Sequence, residues 1–131
     1  MPEATNAPPT AARRSRDGLR IRPRIRIVRG AVIAFGPGKA DLLDAIRAKG
    51  SIRKAAESLG MSYMRAWHLV QTMNAEFREP VVSTVRGGEG RGGTWVTAAG
   101  EAILVLYREM ESASLRAMAP TWRRLRPYLR R

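Results

Sequence analysis

Gly50-Ser51-Ile52-Arg53-Lys54-Ala55-Ala56-Glu57-Ser58-Leu59-Gly60-Met61-Ser62-Tyr63-Met64-Arg65-Ala66 is the stretch whose reading decides the fold. Ile52, Ala55, Ala56 and Leu59 share one face of a short helix. Ser51 stands where an N-cap is wanted, and Gly60 can adopt the left-handed conformation that ends the helix. After a tight turn Ser62 caps a second, longer helix, expected to reach about Arg78, with Ala66, Val70, Met73 and Phe77 on one stripe. Two helices joined through one glycine, with small residues at the junction, can cross closely, and a helix-turn-helix is written this way.

Electrostatics gives that pair a direction. With the apolar stripe turned inward, Met64, Arg65, His68, Gln71 and Thr72 face outward on the second helix. Lys54 and Arg65 stand three residues after the two caps, where Glu or Gln would complete a capping box and where the helix dipole disfavours a cation. A phosphate or a guanine edge placed at these helix starts offsets that cost. The expected contacts are therefore Ser51, Arg53, Lys54, Ser62, Tyr63, Met64, Arg65 and His68. Trp67 lies to one side of the stripe and is expected to pack under the next element.

Working outward, Pro80 ends the helical pattern and Val81-Val82-Ser83-Thr84-Val85-Arg86 reads as a strand. Thr94-Trp95-Val96-Thr97 returns as a second strand, so the intervening Gly87-Gly88-Glu89-Gly90-Arg91-Gly92-Gly93 forms the tip of a hairpin, a wing offering Arg86 and Arg91 to a neighbouring phosphate backbone. Gly88, Gly90 and Gly93 match G-x-G-x-x-G, but a dinucleotide site needs a helix to begin there, and β-favouring residues follow instead. A long amphipathic helix is expected over about 99–118, carrying Ala102, Ile103, Leu106, Met110, Ala113 and Ala117 at spacings of three or four. Its Ile103, Leu106 and Met110 are the expected contacts with a second copy, since paired chains supply the two-fold symmetry of palindromic DNA sites. Pro120 is expected to stop it, leaving 119–131 as a basic tail or short helix.

Toward the N-terminus, Gly36-Pro37-Gly38 separates a helix carrying Leu42, Leu43 and Ile46, expected from Lys39 and stopped at Gly50, from a β-favouring run. That run, Arg24-Ile25-Arg26-Ile27 and then Ala31-Val32-Ile33-Ala34-Phe35, fits a hairpin or one bent strand. Residues 1–20 lack apolar periodicity and are expected to form a disordered basic arm, which makes 21–118 the folded domain.

Composition agrees with a polyanionic partner. The 131 residues hold 24 Lys plus Arg against 11 Asp plus Glu, a net charge of +13. Lysine occurs only at Lys39, Lys49 and Lys54, so arginine, with its forked donors for phosphate and guanine, supplies nearly all of it. The absence of cysteine excludes thiolate metal sites, and a lone histidine, His68, cannot hold a metal by itself. No carboxylate pair or Ser-His-Asp arrangement is evident, so neither an enzyme nor a cofactor is expected. No apolar run reaches the roughly 18 residues of a membrane span, and a cytoplasmic, nucleoid-associated protein without membrane contact is expected.

Leu42-Leu43, Gly50-Ser51-Ile52, Ala55-Ala56, Leu59-Gly60-Met61-Ser62-Tyr63, Ala66-Trp67, Met73-Asn74, the glycine-rich wing and Thr97-Ala98-Ala99-Gly100-Glu101 resemble the DNA-binding half of ModE-type molybdate-responsive regulators, relatives of the LysR type. The likeness covers roughly residues 25–116. It implies a mainly α, winged helix-turn-helix fold with a long C-terminal dimerisation helix, and DNA contact through the helix opening at Ser62. Such regulators generally add a C-terminal oxyanion-binding module, and with the sequence ending at Arg131 molybdate binding by this chain is not expected. Glu89 departs from the pattern by placing an acid in the wing. The expected function is sequence-specific binding of double-stranded DNA by a homodimeric transcription regulator. The alternative is a non-specific architectural nucleic-acid protein acting through its basic tails.

Overall fold

The structure is a computed structural model that describes residues 16–85 and 93–130. The described residues divide into two compact units: those within 24–107 form one, and those of 16–23 and 108–130 form the other. In the first, β1 (Ile27–Arg29) and β2 (Val32–Phe35) make an antiparallel hairpin that turns at Gly30, whose φ is +58°. Of the two readings left open by the sequence, the hairpin is the one adopted.

Three helices follow: α1 (Pro37–Lys49), α2 (Ile52–Ser58) and α3 (Tyr63–Glu76). Helix α1 begins two residues earlier than expected, because Pro37 at N1 has no N–H to leave orphaned and a φ already suited to a helix. It stops where expected: Gly50 has φ +74° and its N–H donates to Ile46 O at 2.8 Å. Then β3 (Val82–Val85) and β4 (Gly93–Val96) pair antiparallel, Val82 opposite Val96 and Val85 opposite Gly93. Thr94 N–H donates to Gly50 O at 3.3 Å, so the second strand of the wing is laid against the end of α1. The fold is mainly α with a small hairpin wing and a long C-terminal helix, α4 (Ala98–Leu125).

The core of this unit is one apolar cluster drawn from β2, all three short helices, the start of β3 and the start of α4. Phe35 sits at its centre, edge-on to Phe77 at 6.0 Å and to Tyr107 at 5.0 Å between ring centroids. The Tyr107 hydroxyl donates to Ile25 O at 2.8 Å, which satisfies the one polar atom this ring takes inside. Lys39 is buried too, its Nζ donating to Ile33 O; burial lowers its pKa below the usual lysine range, and the charge of Glu76 acts in the opposite sense.

Several expectations need correction. Leu59, assigned to the inner face of α2, is 38% exposed, because Gly60 turns the chain just after it at φ +66°. From α4 the core takes Gly100, Leu104 and Tyr107, with Ile103 packed partly against it. The helix also runs through Pro120 to Leu125. A proline removes one hydrogen bond and crowds one carbonyl, and with small Ala119 before it the chain resumes helical geometry on the far side.

In the second unit, described over residues 16–23 and 108–130, α4 gives way to a 3-10 turn at Arg126–Tyr128. Arg126 pairs with Asp17 there, and Trp122 is half-buried. Among the described residues no helix is long and apolar enough to cross a membrane.

Candidate nucleic-acid interface

Both caps read from the sequence are made. Ser51 Oγ accepts from Lys54 N–H at 3.0 Å, and Ser62 Oγ accepts from Arg65 N–H at 3.1 Å. The amides of Tyr63 and Met64, ahead of Arg65 in the first turn of α3, have no intrahelical acceptor and the helix dipole behind them. Helix α3 carries no carboxylate before Glu76, and Glu76 is occupied by Arg29 at 2.9 Å.

The inner and outer faces of α3 divide as the periodicity requires. Ala66, Val70 and Met73 are buried, and Met64, Arg65, His68 and Gln71 are exposed. Thr72 is half-buried, and its hydroxyl turns back to donate to His68 O at 2.9 Å, a bond along the helix that leaves the side chain little freedom to reach a base. Arg53 and Lys54 are exposed on α2 and Ser51 is half-buried. The Arg53 guanidinium lies 4.9 Å from the centroid of the Tyr63 ring, so a cation–π contact joins the first turns of α2 and α3. Arg86 and Arg91 lie outside the described residues. Of the residues expected to meet a second copy, Leu106 is 60% and Met110 41% exposed, and Ile103 is half-buried.

Trp67 was expected under a neighbouring element and is instead 37% exposed, its ring edge-on to His68 at 5.2 Å. It stands one residue past buried Ala66, a step of about 100° that carries it to the rim of the inner face. Its exposure adds a large flat ring beside His68.

Sequence reasoning gave no role to Asn74, which fixes the wing to α3. Its Oδ1 accepts from Val81 N–H at 2.8 Å and Val82 N–H at 3.2 Å, and its Nδ2 donates to Val82 O at 3.1 Å. At the other end of the wing, Thr97 Oγ1 donates to Pro80 O at 2.6 Å and accepts from Gly100 N–H at 3.0 Å, capping α4. The signal for both was an uncharged polar residue at the edge of a helix, a weak one without knowledge of which backbone groups would need partners.

No protein-family model matches the chain. Curated relatives do. It is 44% identical over 78 residues to the molybdenum transport protein ModE of Azotobacter vinelandii, covering 60% of this chain and 29% of that protein. It is 39% identical over 92 residues to the molybdenum-pterin-binding protein MopB of Rhodobacter capsulatus, covering 66% and 34% respectively. The DNA-binding transcriptional dual regulator ModE of Escherichia coli K12 is 35% identical over 71 residues, 54% of this chain and 27% of the regulator. The chain thus spans about a third of the length of the curated relatives it matches. Over 54–72% of its length the chain is similar, at 34–44% identity, to proteins named ModE, MopA and MopB.

Proposed function

We propose that the chain is a transcription regulator that binds double-stranded DNA sequence-specifically as a homodimer, with α3 as the helix that enters the major groove. One observation carries the reading: the exposed, carboxylate-free face of α3 from Met64 to Gln71 lies opposite a buried stripe that fixes the helix in its unit. Arg65, at N3, is the side chain best suited to a guanine edge, and the free amides of Tyr63 and Met64 suit a phosphate. Arg53 and Tyr63, braced against each other, hold the entry of the two helices. The wing arginines Arg86 and Arg91 are assigned to the flanking backbone, and Leu106 and Met110 to the second copy.

The protein acts in the cytoplasm, on the nucleoid, without catalysis. DNA binding is proposed to be indifferent to molybdate, since the residues that carry the resemblance are accounted for by caps, turn, core and wing.

Selection of bound duplexes from a random library, followed by titration of the enriched site, tests the reading. A palindromic site should emerge. Arg65→Ala should cost about 1–3 kcal/mol on that site and relax the preference at one base pair per half-site. An equal loss on every sequence would reassign Arg65 to phosphate, and failure to enrich any site would remove sequence specificity from the proposal.

A further inference from the structure

Beyond Glu111 the chain has no carboxylate side chain, and residues 112–131 hold six arginines. The unit that joins residues 16–23 to 108–130 contains nine arginines and three carboxylates. Two of those carboxylates are engaged, Asp17 by Arg126 and Glu111 by Arg108 at 2.8 Å. Arg116, Arg123 and Arg124 on α4, Arg130 after it, and Arg20 and Arg22 before Pro23 are all exposed, and none is in an ion pair among the described residues.

Their placement is ordered. Arg116 and Arg123 are seven residues apart, two helical turns, and Arg124 adjoins them, so the three share one side of α4. The residues between them on that side, Ala117 and Pro120, are small and exposed, so nothing bulky stands in front of the guanidiniums. Leu115, Ala119 and Trp122, at i, i+4 and i+7 on the adjoining side, are half-buried. Arg20 and Arg22 alternate with half-buried Leu19, Ile21 and Pro23, which gives them a common outward side.

We propose that this arginine surface is a second contact for the phosphate backbone of duplex DNA, made by residues separate from α3 and reading no bases. Duplex DNA presents one negative charge per about 1.7 Å of axis, and forked guanidiniums that outnumber the carboxylates nine to three suit it, with exposed Glu109, two turns before Arg116 on the same side, removing one unit of that charge. A helix lying on a membrane would instead turn its apolar side outward, and here Leu115, Ala119 and Trp122 are drawn in. Leu125 and Tyr128 remain exposed beside the arginines, so an anionic bilayer is the rival that the test must separate. The choice of DNA rests on the function proposed above; the charge pattern does not.

The test compares the full chain with R116Q/R123Q/R124Q and with R116K/R123K/R124K, after circular dichroism and thermal midpoints confirm equal folding. The readout is the salt dependence of binding to the selected site and to unrelated duplex. Each lost phosphate contact removes about 0.9 from the log–log slope, so the glutamine variant should lose about 2–3 units on both duplexes with its site preference unchanged, and the lysine variant should keep the slope. An unchanged slope overturns the proposal. So does loss of sedimentation with phosphatidylserine/phosphatidylcholine vesicles in the glutamine variant while the DNA slope stays put. If the slope falls as expected but Arg65→Ala leaves sequence preference intact, this surface stands and the reading of α3 fails. No duplex binding by the wild-type chain at low salt ends both.

Discussion

Gly100 shows how a single missing side chain fixes the wing to the helix that follows it. A Cβ at this position would overlap Val81 O and lie 2.7 Å from Val96 Cγ1, so backbone just before β3 and a side chain from β4 both close on the first turn of α4. Alanine is otherwise the better helix former, by about 1 kcal/mol. Overpacking against a carbonyl that cannot rotate away typically costs about 1–3 kcal/mol, and the backbone clash puts this site at the upper end, so the penalty wins. Gly100→Ala should therefore lower the urea midpoint, with the dependence on denaturant unchanged and a net loss of about 1–2 kcal/mol once the helical gain is subtracted. A midpoint equal to or above that of the wild type would mean that the wing and α4 separate at little cost. Lys39 is the opposite kind of residue, a cation taken inside because its Nζ supplies the donor that Ile33 O needs.

At the scale of the element, the two helices opening at Ser51 and Ser62 were legible because every feature that starts or stops them is local: a hydroxyl three residues before an amide, a glycine where φ turns positive, an apolar stripe of one period. Helix α4 was legible in kind and not in orientation. From Ala102 to Tyr107 its residues are apolar on nearly every side, so periodicity does not decide between Leu104 with Tyr107, which the core takes, and Leu106, which it leaves out. That choice is made by Phe35 and Ile25, distant in sequence. The outward residues of α3 were readable for the same reason as its stripe, whereas Trp67 sits at the rim, where a few degrees of rotation decide exposure. The bracing of the wing depends on Asn74, which serves two backbone N–H groups and one carbonyl at the entry to β3. Asn74→Ala strands all three in a half-buried site, at an expected cost of about 1–3 kcal/mol. The specific check is native-state hydrogen exchange: the Val81 and Val82 amides should exchange faster than their neighbours in α3, and unchanged protection there would show that the strand pairing alone holds β3.

For the whole molecule, the feature left without a role inside one chain is the exposed apolar side of α4. Val105 is 59%, Leu106 60% and Met110 41% exposed, although Leu104 and Tyr107 beside them are almost fully buried. Water-facing side chains of this size cost solubility unless something covers them, and in the proposed homodimer a second copy of the chain would cover them by symmetry, each α4 meeting its counterpart. Pairing also changes recognition, because two α3 helices can then address half-sites about one helical turn apart, and their contacts add on one duplex. The full chain should sediment as twice its 14.5 kDa mass at micromolar concentration, and Leu106→Glu should sediment at that single mass with its helical content intact. The same variant should bind an isolated half-site as the wild type does and lose most of the advantage of the full palindrome, since each α3 is unaltered and only their linkage is broken. Sedimentation of the wild type as a monomer would leave α4 without its proposed partner. A Leu106→Glu dimer of unchanged affinity would move the interface to another part of the chain.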